Sequence, residues 1–583
     1  MQPEADTTAK LPLRTILRLI PRQSRRGAAG VILATVALAL LDFAGVAALV
    51  PLLLVVLDET AALRTPGLGW FYQAVHFDSF GHFVVAICLL VIAFIVVKSL
   101  LTVLISDRVY RYLMGLYRYY STRMFDTYLS RGLLFIRGHH TSALINDING
   151  ICIRFTDGVL GLLLNMATEV ILLLLIAATL LWYDPRLVLL AAVVFLPLSL
   201  LYTLVFRRRM NRNGREENRL FVAQNKTLYE TLRGYADIEI NNAERYVSDR
   251  FRDGLDRLTS CRRQAMLIRT AAGRMSELSL ILGVAVMIVI GLATGEEMAS
   301  LKIALGVFAV AAYKIIPSVN RLINSWIEYR RNLFAAEKIA DTLGHTDTVR
   351  FTPPTHERLP FRTAIDFEHV TFRYEPEGRA VLNDFSLHIA KGERIGIRGR
   401  SGAGKSTLLN ILCGFFTPNA GRLTIDGVPL TPDNRRAWQN NIAYVSQEVF
   451  LPDIPLAENI AFGVPPEAID PERLRRAIEA ASLTELVDSL PEGTATVTGE
   501  AGCRLSGGQR QRVGIARALY KEASVLLFDE ATSSLDSRTE RDIVEAIEHL
   551  STTRRELTLL IISHRERTLD FCDRIIEIAE PHE

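Results

Sequence analysis

The stretch Gly399-Arg400-Ser401-Gly402-Ala403-Gly404-Lys405-Ser406-Thr407 has the spacing G-x-x-x-x-G-K-[ST], and its flanks decide what that spacing means. Upstream, Arg394-Ile395-Gly396-Ile397 reads as a short strand; downstream, Leu408-Leu409-Asn410-Ile411-Leu412 reads as the apolar start of a helix. Strand, glycine loop and helix form the context in which this spacing binds phosphate. The glycines let backbone N–H groups turn inward around phosphate oxygens, and the helix N-terminus adds positive potential. Lys405 is then placed to reach the β- and γ-phosphates, and Ser406 to ligate Mg²⁺. ATP with Mg²⁺ is the ligand pair this loop predicts.

Further along, Val525-Leu526-Leu527-Phe528-Asp529-Glu530 is a buried-strand pattern ending in two carboxylates. Asp529 is placed to hold Mg²⁺, and Glu530 to orient and polarise an attacking water. An acidic pair after a strand also begins ordinary turns, so the neighbouring motifs have to decide. Leu505-Ser506-Gly507-Gly508-Gln509 matches the signature that defines the ATP-binding-cassette (ABC) family. Around it stand further parts that resemble that family in their expected order. Tyr374 resembles the aromatic that stacks on adenine. Gln447 resembles the residue linking the γ-phosphate and Mg²⁺ site to the membrane domain. Ser534-Leu535-Asp536 resembles the loop that crosses to the other subunit, and His564 the histidine that senses the γ-phosphate.

The resemblance covers about residues 365–578 closely and implies the remaining assignments. The nucleotide would contact Tyr374, the loop Gly399, Arg400, Ser401, Gly402, Ala403, Gly404, Lys405, Ser406 and Thr407, and Asp536. The signature residues Ser506, Gly507, Gly508 and Gln509 would close over ATP held by another cassette. Glu530, His564, Gln447 and Lys405 would serve catalysis; Ser406, Gln447 and Asp529 would serve the metal. A single cassette cannot complete such a site, so a second copy is implied, as a homodimer or with a related chain. Thr496-Val497-Thr498-Gly499-Glu500-Ala501-Gly502 is similar to the exporter-type loop before the signature, with Ala501 where an arginine is usual.

The first half of the chain reads differently. Of 583 residues 49% are apolar while 22% are charged, and the mean hydropathy is +0.21, a balance suited to a membrane half joined to a soluble half. A bilayer core of about 30 Å needs roughly 20 apolar residues in a helix. Runs near 30–57, 83–106, 158–182, 186–206, 276–295 and 301–322 meet that length. Backbone polar groups in lipid must be paired internally, so these runs predict helices. Basic residues cluster before the first run and after the fourth, where Arg207, Arg208, Arg209, Arg212, Arg215 and Arg219 stand. By the positive-inside rule both termini and the long loops at 107–157 and 207–275 face the cytoplasm. Those loops are rich in helix formers and read as spanning helices continued beyond the membrane. Short docking helices are expected near Gly138-His139-His140-Thr141 and Gly234-Tyr235-Ala236-Asp237.

The chain is therefore expected to be multidomain. An all-α polytopic membrane bundle of about six transmembrane helices occupies 1–345, a linker 346–363, and an α/β P-loop nucleotide-binding domain 364–583. The net charge of +3 gives no reason to expect nucleic acid. Six scattered cysteines, with no Cys-x-x-Cys pair, suggest reduced thiols. The order of membrane bundle and cassette resembles bacterial exporters and flippases, which places the protein in a bacterial inner membrane, multi-pass, with its nucleotide-binding domain in the cytoplasm.

Five ionisable residues, Asp42, Lys98, Glu169, Glu277 and Lys314, lie inside apolar runs, where a lipid-facing charge costs about 2.5–3.5 kcal/mol. Patches around Asp42, Arg274 and Ala311–Arg321 are similar to bacterial flippases of lipid-linked oligosaccharides, whose cargo carries an anionic pyrophosphate. On that resemblance, Lys98, Lys314, Arg108, Arg111 and Arg274 form a cationic route for the cargo. The alternative is that they form structural pairs with Asp42, Glu169 and Glu277. Exporters of peptides, drugs or other lipids, and an ATP-gated channel or regulator, remain open as other functions, although the presence of Glu530 argues for turnover.

Overall fold

In the computed structural model the described residues are 13–57, 63, 65–77, 79–183, 185, 212–293, 298–343, 357–375, 377–400, 402–531 and 537–578. The chain divides into two compact units, Met1–Arg131 with Phe135–Val349 and Gly132–Leu134 with Arg350–Glu583.

The first unit is helical. Its main elements are α1 (Arg25–Ala47), α2 (Phe80–Ser130), α3 (Leu162–Tyr183), α4 (Glu244–Ala293) and α5 (Met298–Leu343). Among the described residues, three helical stretches are long and apolar enough to cross a membrane: Arg22–Leu52, Phe80–Ser130 and Thr141–Trp182. They contain the second and third expected runs and most of the first, 30–57, which extends past Leu52. The fourth run, 186–206, lies outside the described residues, and the described parts of the fifth and sixth fall within α4 and α5. With 51 residues, α2 is about 75 Å long at 1.5 Å per residue, more than twice a bilayer core.

The helices therefore continue past any membrane, and there they need a core of their own. Leu113, Tyr120 and Met124 of α2 bury against Phe155 and against Ala336 and Ile339 of α5. Tyr120 meets Phe155 edge-on at 5.1 Å, and its hydroxyl donates to the Leu19 carbonyl at 2.7 Å. Short helices occur at Thr141–Ile145 and Tyr235–Ile240, the neighbourhoods expected for docking.

The second unit has two sheets. One is antiparallel, in the order β2 (Leu382–Ala390), β1 (Ala364–Phe372), β4 (Ala420–Ile425), β5 (Val428–Pro429). The other is parallel, in the order β6 (Ile442–Val445), β7 (Val525–Asp529), β8 (Thr558–Ile562), β3 (Arg394–Arg398), β9 (Arg574–Glu577). Every residue of β7 and β8 is buried, as parallel strands covered on both faces must be.

Between β4 and β5 the turn is Asp426-Gly427, with φ of +49° and +77°. Two positive φ values characterise the tight hairpin turn whose twist matches its strands, and Asp-Gly is well suited to them. The Asp426 carboxylate then reaches the start of β1. It accepts the backbone N–H groups of Arg362, Thr363 and Ala364 at 2.6, 2.8 and 3.0 Å, and the Thr363 hydroxyl at 2.7 Å. Burial raises its pKa, but these bonds outweigh it and hold the carboxyl below its usual value. Replacing Asp426 by Ala should cost about 1–3 kcal/mol at neutral pH, because three backbone N–H donors and one hydroxyl lose their acceptor. The carboxylate's contribution is present above about pH 4 and is lost as pH falls through the lowered pKa. Melting curves of full-length wild type and Asp426→Ala should thus differ at pH 7 and converge in acid.

Candidate nucleotide site

Four neighbouring parallel strands end side by side, and each delivers one part of the site. From β3 the chain enters the glycine loop, whose last glycine, Gly404, has φ +97°, and then starts α6 (Lys405–Leu412). A Cβ at Gly404 would also stand 3.1 Å from the Val381 carbonyl, so both conformation and space call for glycine. From β8 the chain reaches His564, from β7 Asp529 and Glu530, and from β6 Gln447.

The side chains meet in the order of their strands. Gln447 Nε2 donates to Glu530 Oε2 at 3.2 Å, and Glu530 Oε1 lies 3.2 Å from His564 Nε2. The same Nε2 is 3.2 Å from Lys405 Nζ, which donates in turn to the carbonyls of Gly399 at 2.6 Å and Arg400 at 3.2 Å. Beside this row, Ser406 Oγ donates to Asp529 Oδ1 at 3.2 Å and the Tyr444 hydroxyl to Oδ2 at 3.1 Å. Burial raises the Asp529 pKa; the Ser406 and Tyr444 bonds oppose that rise, and the neighbouring Glu530 charge adds to it. Glu530 itself has φ +50°, a strained value for a side chain of its size, at the point where the chain leaves β7.

Tyr374, which follows β1, is 45% exposed and stands edge-on to Phe372 and Phe416 at 5.2 and 5.7 Å. Its hydroxyl lies 2.9 Å from that of Thr407 in the first turn of α6. An exposed ring fixed beside the phosphate loop offers a face for a flat heterocycle. Gly402 and Ala403 complete the described loop. Ser401 and Asp536 lie outside the described residues.

The signature motif forms the N-terminus of α7 (Gly507–Tyr520). Ser506 Oγ accepts the Gln509 N–H at 3.2 Å, and Gln509 Oε1 accepts the Ser506 N–H at 2.8 Å. This reciprocal box satisfies two donors at a helix start. It leaves Gly507 and Gly508 in the first turn, where N–H groups point out of the helix. Each of these two side chains thus accepts from the other residue's backbone N–H.

Two contributors escaped the reading of the sequence. Tyr444 holds Asp529, and the only signal for it is its place three residues before Gln447 on a short strand. Glu540, buried on a following helix, pairs with Arg565 and accepts the Thr568 hydroxyl at 2.9 Å, which anchors the segment after His564. Nothing in the local pattern marked Glu540.

In the membrane unit, Lys98 and Lys314 both pair with Asp42, at 2.7 and 3.2 Å, while Glu169 pairs with Arg321 and Arg111 with Asp107. Of the five expected cations, Lys98 and Lys314 thus meet an expected carboxylate, which serves both, whereas Glu169 and Arg111 pair with residues outside the expected set. The Glu277 side chain lies outside the described residues.

Comparison with known proteins follows both halves. The family model for the ABC transporter matches residues 382–533, and that for the ABC transporter transmembrane region matches residues 52–304. The chain is 35% identical over 462 residues to a protein of Ralstonia nicotianae named ATP-dependent lipid A-core flippase, covering 78% of this chain and 76% of that one. A protein of the same name in Burkholderia pseudomallei is 33% identical over 461 residues, covering 78% and 75%. The fold is shared with a solved bacterial Atm1-family ABC exporter with ATP bound, at a TM-score of 0.76 and 22% identity, over 96% of this chain and 95% of that one. A membrane-spanning bundle and an ATP-binding cassette, matched in that order, make this chain a member of the ABC transporter family: an exporter whose ATPase is coupled to transmembrane transport.

Proposed function

We propose that two copies of this chain form an ATP-driven flippase for an anionic, sugar-headed lipid of the bacterial inner membrane. The cargo form we favour is a lipid-pyrophosphate oligosaccharide. The boundaries 1–345, 346–363 and 364–583 serve as membrane domain, linker and nucleotide-binding domain, with the termini and the latter domain in the cytoplasm. The observation that carries the energy-coupling half is the unbroken contact row Gln447–Glu530–His564–Lys405 along four strand ends. For the cargo, support comes from relatives named lipid A-core flippase and from the two lysines that share Asp42 between membrane helices.

In this reading Tyr374 stacks on adenine, and the loop from Gly399 to Thr407 wraps the phosphates with its backbone N–H groups. Lys405 leaves its loop carbonyls for the β- and γ-phosphate oxygens. Ser406 Oγ and the Asp529 carboxylate, already in contact, are hard oxygen donors facing the loop. With Gln447 they suit an ion that keeps much of its coordination for water and phosphate. Mg²⁺ held there by Ser406, Asp529 and Gln447 would supply positive charge against that of the phosphates. Glu530 aligns a water for attack on the γ-phosphorus while His564 holds the phosphate oxygens, and ADP leaves with the bridging oxygen. The signature residues Ser506 to Gln509 and Asp536 act on the partner copy's nucleotide. ATP would close the cassettes and drive outward opening, and hydrolysis would reset them.

The Glu530→Gln variant should bind ATP with near wild-type affinity yet lose about 100-fold or more of its steady-state hydrolysis. In proteoliposomes carrying a fluorescent lipid-pyrophosphate sugar, it should also stop ATP-dependent flipping. Hydrolysis at an undiminished rate would remove Glu530 from this role, and wild-type hydrolysis without flipping of that lipid would reject the cargo. Tyr374→Ala should raise the KM for ATP about tenfold, the worth of one base–aromatic stack, with kcat little changed. An unchanged KM in steady-state kinetics would place adenine elsewhere.

A further inference from the structure

The parallel sheet has a second edge. The carboxyl ends of β7 and β8 carry nucleotide-site residues; their amino ends, Val525 and Thr558, lie about 13 Å away, four residue steps of about 3.3 Å. At that far edge a cleft of about 160 Å³ opens between the helix Pro471–Ala480, the end of α7 and the end of the helix Ser537–Thr553. Ala477, Leu526 and Leu557 give it a buried apolar floor. Arg473, Arg476 and Arg554 line it together with one carboxylate, Glu522.

These charges neither cancel nor pair closely. Arg473 Nε lies 3.8 Å from Glu522 Oε2, while Arg476 Nη2 and Arg554 Nη2 lie 3.8 and 3.5 Å from Oε1. Charge-assisted bonds run about 2.7–2.9 Å, so one carboxylate is stretched among three guanidinium groups and saturates none. Arg473 Nε is buried without a hydrogen-bond partner. Three cations against one anion leave the lining with two positive charges in surplus.

The backbone around the cleft is held on both sides. The Arg473 guanidinium lies 4.7 Å over the Tyr520 ring, whose hydroxyl accepts the Asp470 N–H at 3.1 Å. Asp470 in turn caps the helix by accepting the N–H groups of Glu472 and Arg473 at 2.9 and 3.1 Å. Across the cleft, Glu522 leaves α7 with φ +50°, and Arg358 donates to its carbonyl at 3.2 Å. An inorganic anion would use the guanidinium donors and leave the floor bare; a neutral hydrocarbon would do the opposite. An apolar cavity of about 150 Å³ takes a benzene ring, so this cleft has room for one ring and a charged group at its mouth.

We infer that this cleft is a binding site for a small aromatic carboxylate, separate from the nucleotide site. The ring lies on Ala477, Leu526 and Leu557. The carboxylate accepts from Arg473 and from Arg476 or Arg554, taking the donors that Glu522 leaves unused. Glu522 holds the three arginines together in the empty cleft and competes with the ligand for them. An occupant also rests on Ala518, near the end of the helix whose start is the signature.

The test uses the full-length protein in phosphatidylcholine nanodiscs and follows 4-fluorobenzoate, ionised at neutral pH, by fluorine NMR. Comparison probes are neutral 4-fluorobenzamide and inorganic phosphate. Wild type should bind the benzoate and not the benzamide. The double variant Arg476→Gln, Arg554→Gln, at two partly exposed positions, should keep the wild-type melting temperature and weaken the benzoate about tenfold or more. Glu522→Gln should strengthen it about threefold by removing the competing carboxylate, whereas arginines serving only as that residue's structural partners would gain nothing from the change. Ala477→Leu should weaken binding by filling the floor, and a saturating non-hydrolysable ATP analogue should leave it unchanged.

The site is rejected if the glutamine pair binds the benzoate as wild type does, or if Glu522→Gln weakens it. Displacement by the ATP analogue would put the benzoate at the nucleotide site and overturn the inference. So would full competition by inorganic phosphate with no effect of Ala477→Leu, which would leave a site for simple anions only.

Discussion

The nucleotide site depends on the register of one parallel sheet. Asp529 and Ile397 are both paired with Ile562, and Phe528 with Val445, so β6, β7, β8 and β3 finish level with one another. Neighbouring strands are about 4.8 Å apart, and parallel pairing sends all their carboxyl ends to one edge. Residues one or two steps past each end must then fall within reach of the next strand's. That is why the contacts run Gln447, Glu530, His564, Lys405, the order of strands in space and not in sequence. A register slip of one residue in β7 would turn Asp529 and Glu530 to opposite faces and dissolve the row.

The sheet is also what makes these groups effective. Burial of β7 and β8 on both faces excludes water below the site, so Asp529 is drawn into a setting that raises its pKa and must be held by donors from Ser406 and Tyr444. Glu530 is the next residue, and its φ of +50° turns the chain out of the strand. Strain of this kind costs about 1–3 kcal/mol and persists where the surrounding structure imposes it. Here its N–H still bonds the Ile562 carbonyl at 3.0 Å, so the ladder holds the backbone while the carboxylate is aimed sideways at Gln447 and His564.

Much of this was legible in the chain because chemistry restricts residue identity at each strand end. Phosphate needs glycine and lysine, a divalent cation needs hydroxyl and carboxylate, and the motifs appear in a fixed order. The supporting groups were not legible. Tyr444 reads as one more β-former, and Glu540 as a charge on an amphipathic helix; only the fold shows that they hold Asp529 and Arg565. In the membrane half, hydropathy located the apolar runs but could not say which ions meet. Periodicity records the face of a residue on its own helix and nothing about its partner on another. The capping role of Gln509 is a case between the two, since Ser-x-x-Gln before a helix is itself a readable pattern.

Within the membrane unit the ion pairs follow a rule of their own. Along α5, Lys314 pairs with Asp42, Arg321 with Glu169, Arg331 with Glu217 and Lys338 with Asp147, so cations down one helix meet carboxylates from four other segments. Glu217 is 4% exposed and is shared with Arg262 of α4 at 3.2 Å; Asp147 also accepts the Tyr128 hydroxyl at 2.7 Å. The carboxylates are the more withdrawn partners in three of the four pairs, and Arg321 and Lys338 are about half exposed. Such pairs add little net stability, because desolvation offsets most of their attraction, but a displaced cation leaves a poorly solvated carboxylate unanswered. Their effect is on axial register. Sliding α5 by one turn, about 5.4 Å, would break all four at once, so the helix can tilt or travel with its neighbours but cannot creep past them. A helix clasped from its apolar part to its far end is suited to carry a displacement along its whole length.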